Sequence, residues 1–143
     1  MKKNIFKTIA ILLIVAGVIS SCKKEKENNS SLQGTKWKLA GYVDAATGNR
    51  VDAEPADCER CYTLIFKTET SAWGYTVLNQ ISVSLVSEKM FSIDTKVDDS
   101  MSGNVVLFYE AIKTTDSYKH ENAELKFFYN NKQNYLLFNS YIL

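Results

Sequence analysis

The chain has 143 residues, with 17 basic and 16 acidic side chains and a formal net charge of +1. This balance gives no electrostatic case for a nucleic-acid partner, because binding to a phosphate backbone relies on an excess of lysine and arginine. Apolar residues make up 45% of the chain, which is ordinary for a globular protein. Length and composition therefore predict one domain with its own core.

The N-terminus has the features of a secretory signal. Lys2, Lys3 and Lys7 precede an apolar run over residues 9–19. That run has eleven residues, whereas a membrane-spanning helix needs about 20. It therefore predicts a cleaved signal peptide over residues 1–21.

Ile19, Ser20, Ser21 and Cys22 end this segment. They resemble the bacterial lipobox, in which an aliphatic residue and two small residues precede an invariant cysteine. The resemblance implies that Cys22 is lipidated, becomes the new N-terminus and is acylated, and two or more acyl chains give a stable anchor. We therefore expect a membrane partner through this lipid anchor and a cell-envelope lipoprotein of the outer membrane, facing the periplasm or the surface. The alternative is an ordinary signal, or a buried apolar helix, with an unrelated cysteine.

Residues 22–31 are predicted to be the lipidated cysteine and a polar tether. Residues 23–31 carry no apolar side chain, so they have nothing to bury. Removal of residues 1–21 leaves 122 residues with 14 basic and 16 acidic side chains, a net charge of −2. The Lys/Glu-rich composition also resembles a surface-export signal of some Gram-negative bacteria, although a generic polar linker accounts for it as well.

Residues 32–143 are predicted to form a single β-rich domain. Trp37, Leu39, Gly41 and Val43 alternate with their neighbours, which is strand periodicity. Residues 51–60, with the only proline, are predicted to be a surface loop. Further short strands are predicted at residues 62–66, 73–77, 81–86, 90–93, 125–129 and 135–139. The predicted architecture is a single antiparallel sheet curling into a partial barrel.

One stretch has helical spacing instead. Val105, Phe108, Tyr109 and Ile112 lie at i, i+3, i+4 and i+7. We predict one short α-helix around residues 104–114. The fold class is therefore mainly β, and α+β at most.

The order of these features has a family resemblance. It is carried by a Gly34-Thr35-x-Trp37-x-Leu39 opening, Gly74 and Asn79, Glu110 in the helix, and the closing Leu125-x-Phe127 and Leu136-Leu137-Phe138 strands. This order resembles the META (HslJ-like) domain, a small envelope-associated module, and more loosely the lipocalin-like lipoproteins. The resemblance implies a β-rich, non-catalytic domain, while the fold alone fixes no activity.

Cys58 and Cys61 form the one motif with redox chemistry. A thioredoxin-like site places its first cysteine at a helix N-terminus, but here a predicted strand follows. A structural disulfide is the usual outcome in an oxidising envelope, and two free thiols are the alternative. A zinc site needs four ligands, whereas His120 is the only histidine beside this pair. We predict a structural disulfide, no metal and no cofactor.

No catalytic residues are predicted. His120 lies in a polar stretch and is expected in a solvated loop, without a triad motif nearby. Phe127 and Phe128 are consecutive, so one of them must leave the core face. Either a helix covers that ring, or the ring marks a surface for a partner or ligand.

We expect a non-enzymatic binding or structural module whose ligand is a protein or a small molecule of unknown identity. One alternative is a lipocalin-like carrier of a small apolar ligand, which needs a deep apolar cavity. Another is an envelope hydrolase, which needs convergent acids with perturbed pKa values in a cleft.

Overall fold

The structure, a computed structural model, describes residues 30–87, 90–94 and 103–142. The predicted signal peptide, Cys22 and most of the predicted tether lie outside these residues. Ten elements follow one another along the chain. They are β1 (Lys36–Asp44), β2 (Arg50–Asp52), β3 (Thr63–Thr68), β4 (Ser71–Tyr75), β5 (Gln80–Ser87), β6 (Met90–Asp94), α1 (Asn104–Lys113), β7 (Thr115–Glu121), β8 (Glu124–Tyr129) and β9 (Asn134–Ser140).

The strands form one antiparallel sheet that curls into a half-barrel. Its order is β6-β5-β4-β3-β1-β9-β8-β7. The short β2 pairs with the second half of β1, which extends past the first residue of β3. Helix α1 packs its apolar face into the core on the concave side. The predicted mainly β fold, with one antiparallel sheet and one short helix, is confirmed.

The core lies between the concave face of the sheet and α1. Alternate residues of each strand point inward, because successive side chains of a strand point to opposite faces. Phe138 links the two layers, with its ring centroid 6.4 Å from that of Phe108 on α1 and 5.3 Å from that of Phe127 on β8. The largest fully buried side chains are Trp37, Tyr62, Tyr109, Phe66, Phe108, Phe127, Phe138, Leu32, Leu64, Ile81, Ile112 and Leu125.

A bulge in β1 changes the predicted face of its second half. Leu39 pairs with Phe138 but Gly41 pairs with Leu137, so one extra residue is inserted in β1. The prediction that Gly41 shares the inward face of Leu39 is therefore wrong, and Tyr42 joins the core cluster instead. Gly41 is required here, because a Cβ atom would lie 2.4 Å from the carbonyl oxygen of Val51.

Two further details differ from the prediction. Strand β4 ends at Tyr75, so Val77 lies in the following turn and is 40% exposed instead of sharing a strand face with Trp73. The polar stretch that contains His120 forms β7. Its edge position allows most of its side chains to remain polar, so hydrophobic periodicity gives little signal there.

The strand register defines two ends of the half-barrel. The tether end contains the β3–β4 hairpin with Glu69 and the β7–β8 turn at Asn122. The distal end contains the β4–β5 turn with Val77 and Leu78, because β4 runs from one end to the other. Within the described ranges, no helix has both the length and the apolar character needed to cross a membrane.

Candidate functional site

The chain enters the fold at the tether end, where Glu69 holds the first described residues. Its carboxylate accepts hydrogen bonds from the backbone N–H groups of Leu32, at 2.9 Å, and Gln33, at 3.2 Å, and from the hydroxyl of Ser31. These bonds, the one from Ser31 foremost, hold the pKa of Glu69 below its ordinary value. Residues 31–33 are thus tied to the β3–β4 hairpin.

His120 completes this attachment and does not lie in a solvated loop. It is 6% exposed, and its ring meets that of Trp37 edge-on at 4.9 Å between centroids. Its Nδ1 donates a hydrogen bond of 2.9 Å to the carbonyl of Ser30, because a carbonyl oxygen can only accept. The expectation of a solvated histidine is wrong, since pairing of β7 with β8 turns this side chain inward.

The sulfur atoms of Cys58 and Cys61 are joined in a disulfide, with 5.4 Å between the two Cα atoms. Cys61 is 3% exposed and packs in the core, whereas Cys58 is half-buried at its edge. The bridge lies two residues before β3. Its structural, non-catalytic role remains a prediction.

Lys38 on β1 supports this cysteine turn. Its ammonium donates to the carbonyls of Cys61 at 2.6 Å, of Glu59 at 3.2 Å, and of Cys58. An ammonium has three N–H donors, so all three are used. Burial lowers the pKa of Lys38, against the opposing effect of the Glu59 carboxylate. Lys38 therefore holds the backbone of the cysteine turn against β1 through these hydrogen bonds.

Two open clefts flank the exposed turn formed by Val77 and Leu78 at the distal end. The first, the Tyr62 cleft, has a volume of about 420 Å³ and lies between this turn, Pro55 and the start of α1. The second, the Arg60 cleft, has a volume of about 400 Å³ and lies on the disulfide side of the turn. It is lined by Cys58, Arg60, Cys61, Tyr75, Thr76, Val77, Leu78, Asn79 and Gln80.

Tyr62 forms the inner wall of the first cleft. It has a left-handed backbone conformation, with φ 54°, and its ring lies 5.1 Å from that of Phe108. Only 1% of the residue is exposed, and its hydroxyl has no hydrogen-bond partner among the described residues. Burial raises the pKa of Tyr62 to about 12, so the phenol remains neutral.

Tyr42 lies nearby, and its hydroxyl, unlike that of Tyr62, has a hydrogen-bond partner among the described residues. Its hydroxyl donates to the carbonyl of Asn104 at 2.9 Å and so ties β1 to the first residue of α1. Burial, followed by the nearby Tyr62 and Tyr129 hydroxyls, raises the pKa of Tyr42. The distal part of the core therefore contains neutral phenols beneath the start of α1.

Arg60 overhangs the second cleft. Its guanidinium carbon lies 4.3 Å from the ring centroid of Tyr75, a cation–π contact. Thr63 fixes the backbone below it, because the Thr63 hydroxyl donates to the Arg60 carbonyl at 2.9 Å. A cation, an aromatic ring, two side-chain amides and an apolar turn thus meet in one open cleft, which is suited to binding a polar ligand with an apolar face.

Phe128 is the consecutive phenylalanine that leaves the core. Phe127 is fully buried, whereas Phe128 is half-buried on the convex face, 5.3 Å from the Tyr135 ring. Helix α1 packs on the concave side, so it does not cover this ring.

The residues that the sequence marks as candidates do not come together: the cysteine pair borders the Arg60 cleft, whereas His120 borders a separate open cleft at the tether end. Cys22 lies outside the described residues, and His120 lies at the tether end. Among the residues that the structure covers, no cluster of three or more His, Cys, Asp or Glu side chains could hold a metal ion. Arg60, Tyr62 and Tyr75 were not predicted from the sequence to be neighbours of the clefts. Arg60, inside the Cys-x-x-Cys motif, carried the one available signal.

The fold defines a class, a β half-barrel with one short helix packed on its concave side. No model of a known protein family matches the chain. The chain is 45% identical over 139 residues, 96% of each chain, to a Tannerella forsythia protein named "Putative lipoprotein". The protein belongs to the same lipoprotein family, which associates it with a membrane of the bacterial cell envelope.

A solved structure shares the fold. It is the crystal structure of a DUF4847 family protein from Bacteroides vulgatus, with a TM-score of 0.56 and 17% sequence identity. The match covers 76% of this chain and 93% of that chain. At this identity it shows the common half-barrel fold alone. The narrower likeness to META domains is not shown by these comparisons.

Proposed function

We propose that the protein is an outer membrane lipoprotein, anchored through Cys22, that acts as a non-enzymatic binding module. In this proposal the two clefts beside Val77 and Leu78 receive the ligand at the distal end, facing the periplasm or the surface. The resemblance of the sequence to META (HslJ-like) domains supports the non-enzymatic part.

The observation that carries this proposal is the Arg60 cleft. The Arg60 guanidinium is exposed and lies above the Tyr75 ring. It has no carboxylate partner among the described residues. Beside it, Leu78 is 54% exposed in the turn shared by both clefts. An unneutralised cation next to exposed apolar surface is a typical composition of a recognition site.

The test uses the full-length lipoprotein in nanodiscs of zwitterionic phosphatidylcholine. Methyl NMR spectra are recorded with a panel of oligosaccharides, peptides and fatty acids. We expect at least one class to shift the methyl signals of Val77 and Leu78, and Leu78→Asp to abolish that shift. Ile142→Asp is the matched control, because Ile142 is 92% exposed at the tether end.

Two results contradict the proposal. The first is a panel whose bound members shift signals in both variants equally, which places binding elsewhere. The second is chemical turnover of a panel compound, measured by mass spectrometry after incubation, since a binding module leaves its ligand unchanged.

A further inference from the structure

Four side chains form a continuous row on the convex face next to the Arg60 cleft. Arg60 lies over Tyr75 at 4.3 Å, the rings of Tyr75 and Trp73 meet edge-on at 5.7 Å, and the Lys67 ammonium lies 6.0 Å from the Trp73 ring centroid. We call this row the cation–aromatic strip. It begins inside the Arg60 cleft and follows β4 toward the tether end.

The strip is open to a ligand on one side. On β5, Trp73 pairs with Ser82 and Tyr75 pairs with Gln80, and both partners are exposed and polar. A serine is too small to cover an indole ring. The two rings are half-buried and the two cations are exposed, so aromatic surface and positive charge lie side by side on the convex face.

The charges of the strip are not neutralised by any carboxylate among the described residues. Within the part of the chain that the structure describes, neither Arg60 nor Lys67 has a carboxylate in ion-pair contact. Four other cations on the same described surface do. These pairs are Arg50 with Asp52, Lys113 with Glu110, Lys119 with Glu121, and Lys126 with Glu124. Residues 22–143 have a net charge of −2, so the two cations of the strip contrast with the acidic balance of this part of the chain.

We propose, on the basis of the proposed function, that the cation–aromatic strip and the Arg60 cleft bind an anionic saccharide. The C–H face of a sugar ring packs against aromatic rings, whose faces carry weak negative charge. Its carboxylate, sulfate or phosphate group pairs with Arg60, because a guanidinium binds such groups in a bidentate manner while stacked on an aromatic ring. Asn79 and Gln80 line the cleft and supply amides for sugar hydroxyls.

A saccharide fits better than a single-stranded nucleic acid. Nucleic-acid grooves carry a cation for most phosphates along the strand, whereas the strip has one cation at each end and two uncharged rings between them. The acidic balance of residues 22–143 would also repel a densely charged polymer.

The test measures binding to the full-length lipoprotein in phosphatidylcholine nanodiscs by calorimetry. The probes are trigalacturonate and sulfated maltotriose, each with its uncharged parent (the methyl ester and maltotriose), and a hexathymidylate. We expect an anionic probe to bind at least about tenfold more tightly than its uncharged parent, and this preference to shrink with salt. Arg60→Gln and Trp73→Ala should each weaken it about tenfold, the loss of one charge-assisted or stacking contact.

Lys126→Gln is the matched control. Lys126 also lies over an aromatic ring on the convex face, 5.6 Å from the Tyr135 centroid, but it is paired with Glu124. It should leave affinity within about twofold of wild type, as surface changes away from a site usually do. Melting temperatures of all variants confirm that folding is intact.

Absence of binding by both anionic probes, equal binding of charged and uncharged probes, or tighter binding of hexathymidylate would overturn the inference. An equal loss in Lys126→Gln would do the same. If the ligand panel still shifts Val77 and Leu78 after such a result, the proposed function stands and only the ligand class is refuted. If neither experiment detects binding at the clefts, the proposed function fails as well.

Discussion

The ammonium of Lys38 donates a hydrogen bond of 2.6 Å to the carbonyl of Cys61, across a sequence separation of 23 residues. The same ammonium binds the carbonyls of Cys58 and Glu59. Strand β1 therefore holds the cysteine turn in place, and that turn is one wall of the Arg60 cleft. The disulfide is only part of what shapes this wall.

Lys38→Met should destabilise the protein more than its position on a strand surface suggests. Methionine keeps most of the aliphatic stem but leaves three carbonyls without their charged donor, at a cost of about 2 kcal/mol of unfolding free energy. Lys36→Met is the control, two residues earlier on the same face, and should cost less than about 0.5 kcal/mol. Equal urea midpoints for the two variants would show that the Lys38 bonds do not stabilise the turn.

Replacing Cys58 and Cys61 together by Ser should leave the fold intact. The bridge closes a loop with a sequence separation of 3, so loop entropy predicts a loss of about 2 kcal/mol or less. Circular dichroism should be unchanged and the melting temperature should fall modestly. A catalytic pair is distinguished by thiol titration of the reduced, folded protein. Rapid alkylation near pH 6 would indicate an activated thiolate and contradict the structural role.

Tyr62→Phe should increase stability, which is unusual for a buried position. The Tyr62 hydroxyl is buried without a partner among the described residues, and an unsatisfied buried donor costs about 1–3 kcal/mol. Removing it should raise the unfolding free energy by about 1 kcal/mol. Tyr42→Phe is the control and should lower it by about 1 kcal/mol, because that hydroxyl bonds to Asn104. Similar losses in both variants would mean that Tyr62 has a partner.

Glu69→Gln should weaken attachment of the first residues in a pH-dependent manner. The pKa of Glu69 is lowered in the folded state, so its contribution is present above the ordinary value of 4.5 and lost as pH falls below it. The side chain is exposed, so we expect a loss below about 1 kcal/mol at pH 7. Stabilities of wild type and variant should converge as the pH falls through the lowered pKa of Glu69. Glu54→Gln, whose carboxylate makes no hydrogen bond within the described structure, should show no such pattern.

Much of the fold could be predicted because its strands bury one face only. Phe127 alternates with outward neighbours and lies fully inside, and Phe108 follows the helical spacing that predicts α1. The bulge after Leu39 could not be predicted, since it depends on how β1 pairs with β9. The strand position of His120 could not be predicted either, because the edge strand β7 is mostly polar and lacks apolar alternation.

The clefts were not predictable for a different reason. Arg60, Tyr75 and Leu78 are separated in sequence and meet only because β4 pairs with β3 and is followed by an exposed turn. Nor does any local pattern indicate that Lys38 reaches the carbonyls of the cysteine turn. Long-range pairing creates both relationships, and period-2 alternation records only which face a residue takes.

The most direct test of the proposed lipoprotein anchored through residue 22 is the intact mass of the protein extracted from cell membranes. We expect a chain that begins at Cys22 and carries the mass of a diacylglycerol thioether and further acylation. Cys22→Ala should abolish the lipid mass and leave the uncleaved signal peptide in place. A wild-type chain without lipid mass, or a Cys22→Ala variant that still incorporates labelled fatty acid, would contradict the account.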